Sequence, residues 1–338
     1  MKQELIKWLR CPACHGPDLD LTVFATADGA VSEGVLKCAG CRTPYKIDDQ
    51  VAEIIVREPA WFTQDDDFTR KFAGQLAELD LAGAELDSKQ AVDEHKKGQA
   101  EIFDEIVKIY EGMTDSHFWK AVDKYVWSIW GAEMSRHKMM LEVGCGNGRI
   151  SRPLAKDGTV VVGVDISRGM LRKAIDEAHK LGNEDLFYVM GDAENLPFKD
   201  GLFDGCVIYG VLHHLASPPD CLKEVSRVME RSGQFYALEN NKSIFRKLFD
   251  LLVKLKKLWE EHPSEHYIMS EQEVQSWGKA ADMHIRTRTM IYMPPHFINP
   301  LGGRGAEITI KATEKLLGNL PFLKDQGGLL FIRGTKLR

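Results

Sequence analysis

Four groups of side chains in this 338-residue sequence are spaced for chemistry. The first is the turn Leu141-Glu142-Val143-Gly144-Cys145-Gly146-Asn147-Gly148-Arg149-Ile150-Ser151, where an apolar run from Met139 stops at three glycines on alternate positions. A buried strand that enters such a turn and opens a helix makes a ligand cradle. Glycine lets the backbone approach a bound molecule, and the free N–H groups of a helix start face its polar atoms. The spacing G-x-G-x-G satisfies neither the dinucleotide fingerprint G-x-G-x-x-G nor the lysine-containing phosphate loop. The second group is Asp165, seventeen residues beyond Gly148 at the end of a β-branched run. A carboxylate at a strand end suits a ribose diol. The third is His213-His214, after the apolar segment from Phe203. Either is a candidate general base, with hydrogen bonding inside the loop as the alternative.

The fourth group is Cys11-Pro12-Ala13-Cys14 and Cys38-Ala39-Gly40-Cys41, two Cys-x-x-Cys knuckles separated by 23 residues, with Gly16 and Gly40 supplying turns. Four thiolates close a tetrahedral shell, so Cys11, Cys14, Cys38 and Cys41 are expected to hold a structural Zn2+ with no open position. Four buried reduced cysteines are the competing explanation. The other three of the seven cysteines are dispersed, which suits a reducing compartment better than a disulfide framework. Cys145 is read as present for its small size.

These groups need elements to position them. Strands are expected near 139–144, 159–164, 186–190, 203–209 and 233–239, alternating with helices near 148–156, 168–181 and 218–230. That alternation predicts an α/β fold with a parallel sheet and helices on both faces. Two later apolar strands, near 284–293 and 328–335, extend the sheet. Residues 1–58 read as a small β-rich module that needs a metal staple. Residues 59–100 read as an acidic helical linker with a helical pattern from Phe68 to Leu86, and 101–338 as the main domain. In the main domain, insertions fall near 242–275 and 294–326. Ile244, Phe245, Leu248, Phe249, Leu251, Leu252, Leu255, Leu258 and Trp259 form an apolar helical stripe beside Arg246, Lys247, Lys254, Lys256 and Lys257. Such a basic amphipathic helix packs as a cap, covers an apolar acceptor or lies on a membrane surface.

Net charge is −6, with residues 242–338 carrying 16 Lys+Arg against 10 Asp+Glu and the first 241 carrying 28 against 40. No signal-peptide pattern follows Met1 and no apolar run reaches membrane-spanning length, so a soluble cytoplasmic protein is expected.

The glycine turn, with Val189-Met190-Gly191-Asp192-Ala193-Glu194-Asn195-Leu196-Pro197-Phe198 and Phe203-Asp204-Gly205-Cys206-Val207-Ile208-Tyr209-Gly210-Val211-Leu212-His213-His214-Leu215 downstream, resembles the class I S-adenosylmethionine-dependent methyltransferases. The lead-in around Phe103 and Tyr110 resembles the quinone-ring methyltransferases, and residues 1–58 resemble the small zinc-ribbon proteins that accompany RNA and protein methyltransferases. The resemblance implies a Rossmann-like seven-stranded sheet with a reversed last strand. It assigns Glu142 and the loop Gly144, Cys145, Gly146, Asn147, Gly148 to the methionyl group and Asp165 to the ribose. Asp192 and Ala193 go to the adenine, which Ile166 and Met170 sandwich. Glu194 and Tyr209 fall among the cofactor-binding residues, and Tyr110 covers the cofactor. The expected function is methyl transfer to a small-molecule or lipid-like acceptor. An rRNA or tRNA base methyltransferase that uses the ribbon for RNA recognition is the alternative, but the ribbon, with 7 Lys+Arg against 9 Asp+Glu, is a poor phosphate-binding surface. A non-catalytic cofactor-binding scaffold is the third reading.

Overall fold

Apolar runs that need cover on both faces become the inner strands of a mixed seven-stranded sheet. The computed structural model describes residues 1–56, 67–81, 94–156, 158–247 and 268–337, with backbone alone at 108–111, 113 and 296. The chain forms two compact units, residues 1–105 with 141–202 and residues 106–140 with 203–338.

The first unit begins with an antiparallel sheet of β1 (Leu19–Ala27), β2 (Ala30–Cys38), β3 (Pro44–Asp48) and β4 (Val51–Ala52). Asp28 and Gly29 both have positive φ, the geometry of a two-residue hairpin turn, so β1 runs back along β2 and Leu19 lies opposite Cys38. The 23 residues between the knuckles are thus a hairpin that returns the second knuckle to the first. α1 (Asp67–Lys71) and α2 (Ala73–Glu78) bury Phe68, Phe72 and Leu76 in one cluster with Leu81 and Val35. The helical pattern expected from Phe68 to Leu86 is therefore two short helices as far as Glu78, with Asp80 in the left-handed region closing the second. Residues 59–66 and 82–93 of the expected acidic linker lie outside the described residues.

α3 (Glu94–Thr114) and α4 (His117–Met134) follow, the latter capped by Ser116, whose hydroxyl accepts from the Trp119 N–H. Then come β5 (Met139–Val143), α5 (Ser151–Leu154), β6 (Val160–Asp165), α6 (Arg168–Leu181), β7 (Leu186–Met190), β8 (Phe203–Tyr209), α7 (Pro218–Val228), β9 (Met229–Asn240), β10 (Met283–Met290) and β11 (Leu329–Lys336). The strand order is β10-β11-β9-β8-β5-β6-β7. β6 and β7 pair in parallel, as do β8 and β9, whereas β11 is antiparallel to both β9 and β10. Leu141, Val143, Val161 and Val162 are fully buried in the first unit, and Val207, Ile208, Phe235 and Ala237 in the second.

Two expectations change. The helix foreseen over 148–156 is one turn, Ser151–Leu154, because Gly148 stands at φ +75° and a helix cannot begin there. The stretch 294–326, whose glycines conceal periodicity, contains a sixteen-residue helix, Gly302–Leu317. Of the amphipathic stripe 244–259, only residues 244–247 are described.

Candidate cofactor site and metal centre

Gly144 and Cys145 donate their N–H groups to the Val164 carbonyl at 2.8 and 3.1 Å, so the end of β5 is tied to the end of β6 before the loop turns away. Gly144, Gly146 and Gly148 all have positive φ, which explains three glycines on alternate positions. At Gly148 a Cβ would also lie 2.4 Å from the Tyr188 hydroxyl, while at Gly146 it would meet nothing within 4 Å. The loop crest is open and its base is packed.

Asp165 is the acidic counterpart. One carboxylate oxygen accepts from the Gly146 N–H at 2.7 Å and the other from the Ser167 N–H at 2.8 Å. Burial raises its pKa, and these backbone amides oppose that rise. Ser167 caps α6 by accepting from the Met170 N–H, and its hydroxyl donates to Asp104 of α3 at 2.5 Å. Ile166 is half-buried at the entrance to α6 and Met170 is buried in its first turn.

Glu142 lies beneath the loop, 2% exposed, and accepts a hydrogen bond from the Ser151 hydroxyl. Burial pushes its carboxyl up to about 8. Cys145 is also buried, and its thiol is held well above the ordinary range by the same cause, which leaves it packing rather than reacting. Asn147 Oδ1 is buried and has no hydrogen-bond partner among the described residues.

At the end of β7, Gly191 is pressed by Val164 and Pro197, and Asp192 accepts from the Glu194 N–H at 2.8 Å. The other oxygen of Asp192 accepts from the Lys96 ammonium at 2.7 Å, and Glu194 lies 2.5 Å from the same ammonium. Burial acts to lower the Lys96 pKa, but the two carboxylates outweigh it and raise it. Ala193 sits half-buried between them in the chain. Lys96 and Asp104, both on α3, carry no motif; a charged residue in a polar helix gives no sign of its partner.

The second unit holds the remaining candidates. Glu239, at the end of β9 and 1% exposed, accepts from the Val211 and Leu212 N–H groups at 2.8 Å each and faces His213 Nδ1 at 2.7 Å. The rings of His213 and His214 lie with centroids 4.1 Å apart and tilted by 40°, and it is His213 that the Glu239 carboxylate faces. The pairing joins the ends of adjacent parallel strands, which the sequence presents as separate strand ends 26 residues apart. The Tyr209 hydroxyl donates to Asp123 of α4 at 2.7 Å. The backbone of Tyr110 lies in α3, while its side chain and residues 262–267 are outside the described residues.

The four knuckle sulfurs converge in the first unit, with all of Cys11, Cys14, Cys38 and Cys41 Sγ within 4.8 Å of one another. The pairs Cys11–Cys41 and Cys14–Cys38 are 3.5 Å apart, close to the roughly 3.8 Å edge of a tetrahedron with zinc–sulfur bonds of about 2.3 Å. His15 and Arg42, each directly after a knuckle's second cysteine, share a left-handed backbone. The Tyr45 hydroxyl lies 3.0 Å from Cys11 and the Thr43 hydroxyl 3.1 Å from Cys41, which places a donor beside two of the four sulfurs. Burial pushes the Cys11 thiol up to about 12. At Cys41 burial acts the same way, but hydrogen bonds led by those from Thr43 bring it down to about 7.

The sheet order, reversed β11 and glycine loop define a Rossmann-like methyltransferase fold, and residues 141–237 match the family described as methyltransferase domain. Over 157 residues the chain is 32% identical to a demethylmenaquinone methyltransferase of Symbiobacterium thermophilum, which covers 43% of this chain and 60% of that protein. The chain spans less than two thirds of the length of the first curated relatives it matches. Among solved structures, a Thermotoga maritima S-adenosylmethionine-dependent methyltransferase, a possible histamine N-methyltransferase, superimposes with a TM-score of 0.50 at 20% identity, over 70% of this chain and 99% of that one. The 4+2 cyclase SpnF does so with a TM-score of 0.53 at 17% identity, over 72% of this chain and 96% of that one. These two show the fold, and the cyclase shows that the fold does not fix the reaction.

Proposed function

We propose that this chain is an S-adenosylmethionine-dependent methyltransferase acting on a small-molecule or lipid-like acceptor in the cytoplasm, with a structural zinc in its ribbon. The observation that carries the cofactor reading is the Asp165 carboxylate bridging the open glycine loop and the start of α6. That carboxylate and the buried Asn147 oxygen, which has no partner among the described residues, form a rim of acceptors suited to a ligand bearing hydroxyls, while Lys96 holds the acidic pair Asp192–Glu194 in place. Asp165 would hold the ribose, the loop and Glu142 the methionyl end, and Asp192 with Ala193 and Glu194 the adenine.

When bound, S-adenosylmethionine supplies a methyl group already activated on a sulfonium, so the protein's task is mainly position. For an acceptor whose proton must leave, His213 is the base. Glu239 accepts from Nδ1–H, which fixes the tautomer whose basic nitrogen is Nε2. The name of the Symbiobacterium relative suggests an apolar ring as acceptor, and exposed Phe297, Leu301, Ile308, Leu316 and Phe322 suit an amphiphilic one. Peripheral membrane contact through 244–259 belongs to the same reading, since its apolar stripe is flanked by lysines.

Isothermal titration with S-adenosylhomocysteine tests the proposal. One site per chain is expected, weakened about tenfold or more by Asp165→Ala through loss of charge-assisted hydrogen bonds. Wild-type protein that binds none would sink the cofactor reading.

A further inference from the structure

The zinc ribbon and the adenine segment are joined through the backbone. Gly191–Lys199 leaves the edge strand β7 and runs beside the residues that lead into the first cysteine knuckle. Lys199 donates its N–H to the Trp8 carbonyl at 2.9 Å, and Arg10 donates its N–H to the Pro197 carbonyl at 3.0 Å, making an antiparallel bridge between Leu9 and Phe198, both fully buried. On the other side of the ribbon, Ile54 donates its N–H to the Met190 carbonyl at 2.9 Å, one residue before the segment begins. Between these anchors lies the turn Asp192–Asn195, closed by the Asn195 N–H on the Asp192 carbonyl at 3.0 Å. The Asn195 side-chain amide donates to the Pro12 carbonyl at 3.0 Å. Pro12 stands inside the knuckle, between Cys11 and Cys14.

We infer that Asn195 couples the metal centre to the cofactor site, so that zinc in the ribbon holds the Asp192–Asn195 turn in its binding shape. The inference rests on the cofactor and zinc assignments above and adds the link between them. The position of the Pro12 carbonyl depends on the Cys11–His15 turn, in which His15 donates its N–H to the Cys11 carbonyl at 2.8 Å. That turn contains two of the four sulfur ligands. With the ligands held, the carbonyl is fixed and Asn195 has an acceptor; with them released, the turn bearing Asp192 loses a support on its ribbon side. Asn195 is a positioning residue, since it acts through Asp192 and not on the reacting atoms.

Coupling between two binding sites is reciprocal. If zinc tightens cofactor binding by some factor, the cofactor must tighten zinc binding by the same factor. A link of one neutral hydrogen bond corresponds to roughly three- to tenfold.

The test uses the full chain loaded with zinc. S-adenosylhomocysteine affinity is measured by titration calorimetry, and zinc transfer to a chromogenic chelator is followed with and without saturating S-adenosylhomocysteine. In wild-type protein the ligand is expected to lower the extent of zinc transfer at equilibrium by roughly three- to tenfold. In Asn195→Ala, affinity should fall by a similar factor and the protection should disappear, while zinc content stays at one per chain. Asn195→Asp, which keeps the shape and loses the donor, should behave in the same way. Unchanged zinc transfer in wild-type protein that binds both zinc and S-adenosylhomocysteine would overturn the coupling and leave both assignments standing. Wild-type protein that binds no S-adenosylhomocysteine, or holds no zinc, would instead remove the assignment on which the coupling rests.

Discussion

The cysteine cluster and the glycine loop, both in the first unit, solve the same problem in opposite ways. The cluster draws four identical donors from two local turns, and each sulfur lies within 4.8 Å of the others. The site draws unlike groups from the ends of three strands: N–H groups after β5, a carboxylate on the last residue of β6 and an acidic pair after β7. Four sulfurs gathered this closely suit a structural metal with no open position. A rim whose crest glycine faces open space, with a buried oxygen that has no partner among the described residues, suits a ligand that comes and goes.

The largest effect is expected where that contrast is broken at the cluster. Cys38→Ser should remove the metal and unfold the hairpin around it, because β1 to β4 form a small sheet with a limited core. Elemental analysis should find one zinc per wild-type chain and little in the variant, with rapid amide exchange over residues 19–52. A ribbon that keeps its exchange protection without metal would show that the cluster is buried thiols and no more.

The same contrast explains what could be read from the sequence. The knuckles were legible because ligand spacing is local, and the glycine loop and Asp165 because strand ends and turns leave periodic marks. The boundaries of β7, β8 and α6 follow directly from apolar runs and from the stop at Gly182, which has a left-handed backbone. What the sequence concealed is pairing across the chain. Glu239 could be placed on a strand end, but its bond to His213 depends on the order of β8 and β9. Lys96 sits opposite Asp192 from a helix whose residues have only helical spacing. Asn195 reads as one polar residue in a loop, and its partner is a proline carbonyl that no motif predicts. The helix Gly302–Leu317 was hidden for a different reason, since Gly302, Gly303 and Gly305 at its start have low helix propensity and tertiary packing overrides them.

The second unit sharpens the comparison, because there the buried carboxylate of Glu239 faces a histidine and not a glycine loop. Glu239→Gln keeps the shape and still accepts from Val211 and Leu212, but removes the charge that fixes the His213 tautomer. For an acceptor that must lose a proton, kcat should fall about ten- to a hundredfold, the usual range for a positioned base, with S-adenosylhomocysteine affinity unchanged. An equal loss of cofactor affinity would mean that Glu239 supports the fold of the loop instead.

The smallest effect distinguishes Glu142 from Asp165, two acids on neighbouring strands whose carboxyl pKa values burial raises. Asp165 keeps two backbone donors, whereas Glu142 has its hydrogen bond from the Ser151 hydroxyl and burial pushes it from 4.5 up to about 8. Unfolded, Glu142 releases its proton near 4.5; folded, it retains the proton until about pH 8. Between those values the folded chain binds more protons than the unfolded one, so stability from this group is fully present below pH 4.5 and is lost as pH rises through 8. Glu142→Gln, which cannot ionise and still accepts from Ser151, should therefore match wild type near pH 5 and exceed it near pH 8. A difference of about 1 kcal/mol would move Tm by roughly 1–2 °C in a chain of this length. Saturating S-adenosylmethionine, whose positive charge favours the ionised carboxyl, should narrow that gap in wild-type protein. Differential scanning fluorimetry across pH 5 to 8, with and without the cofactor, measures both. A gap that is constant with pH would show that Glu142 is ionised in the folded chain and already paired with a positive charge.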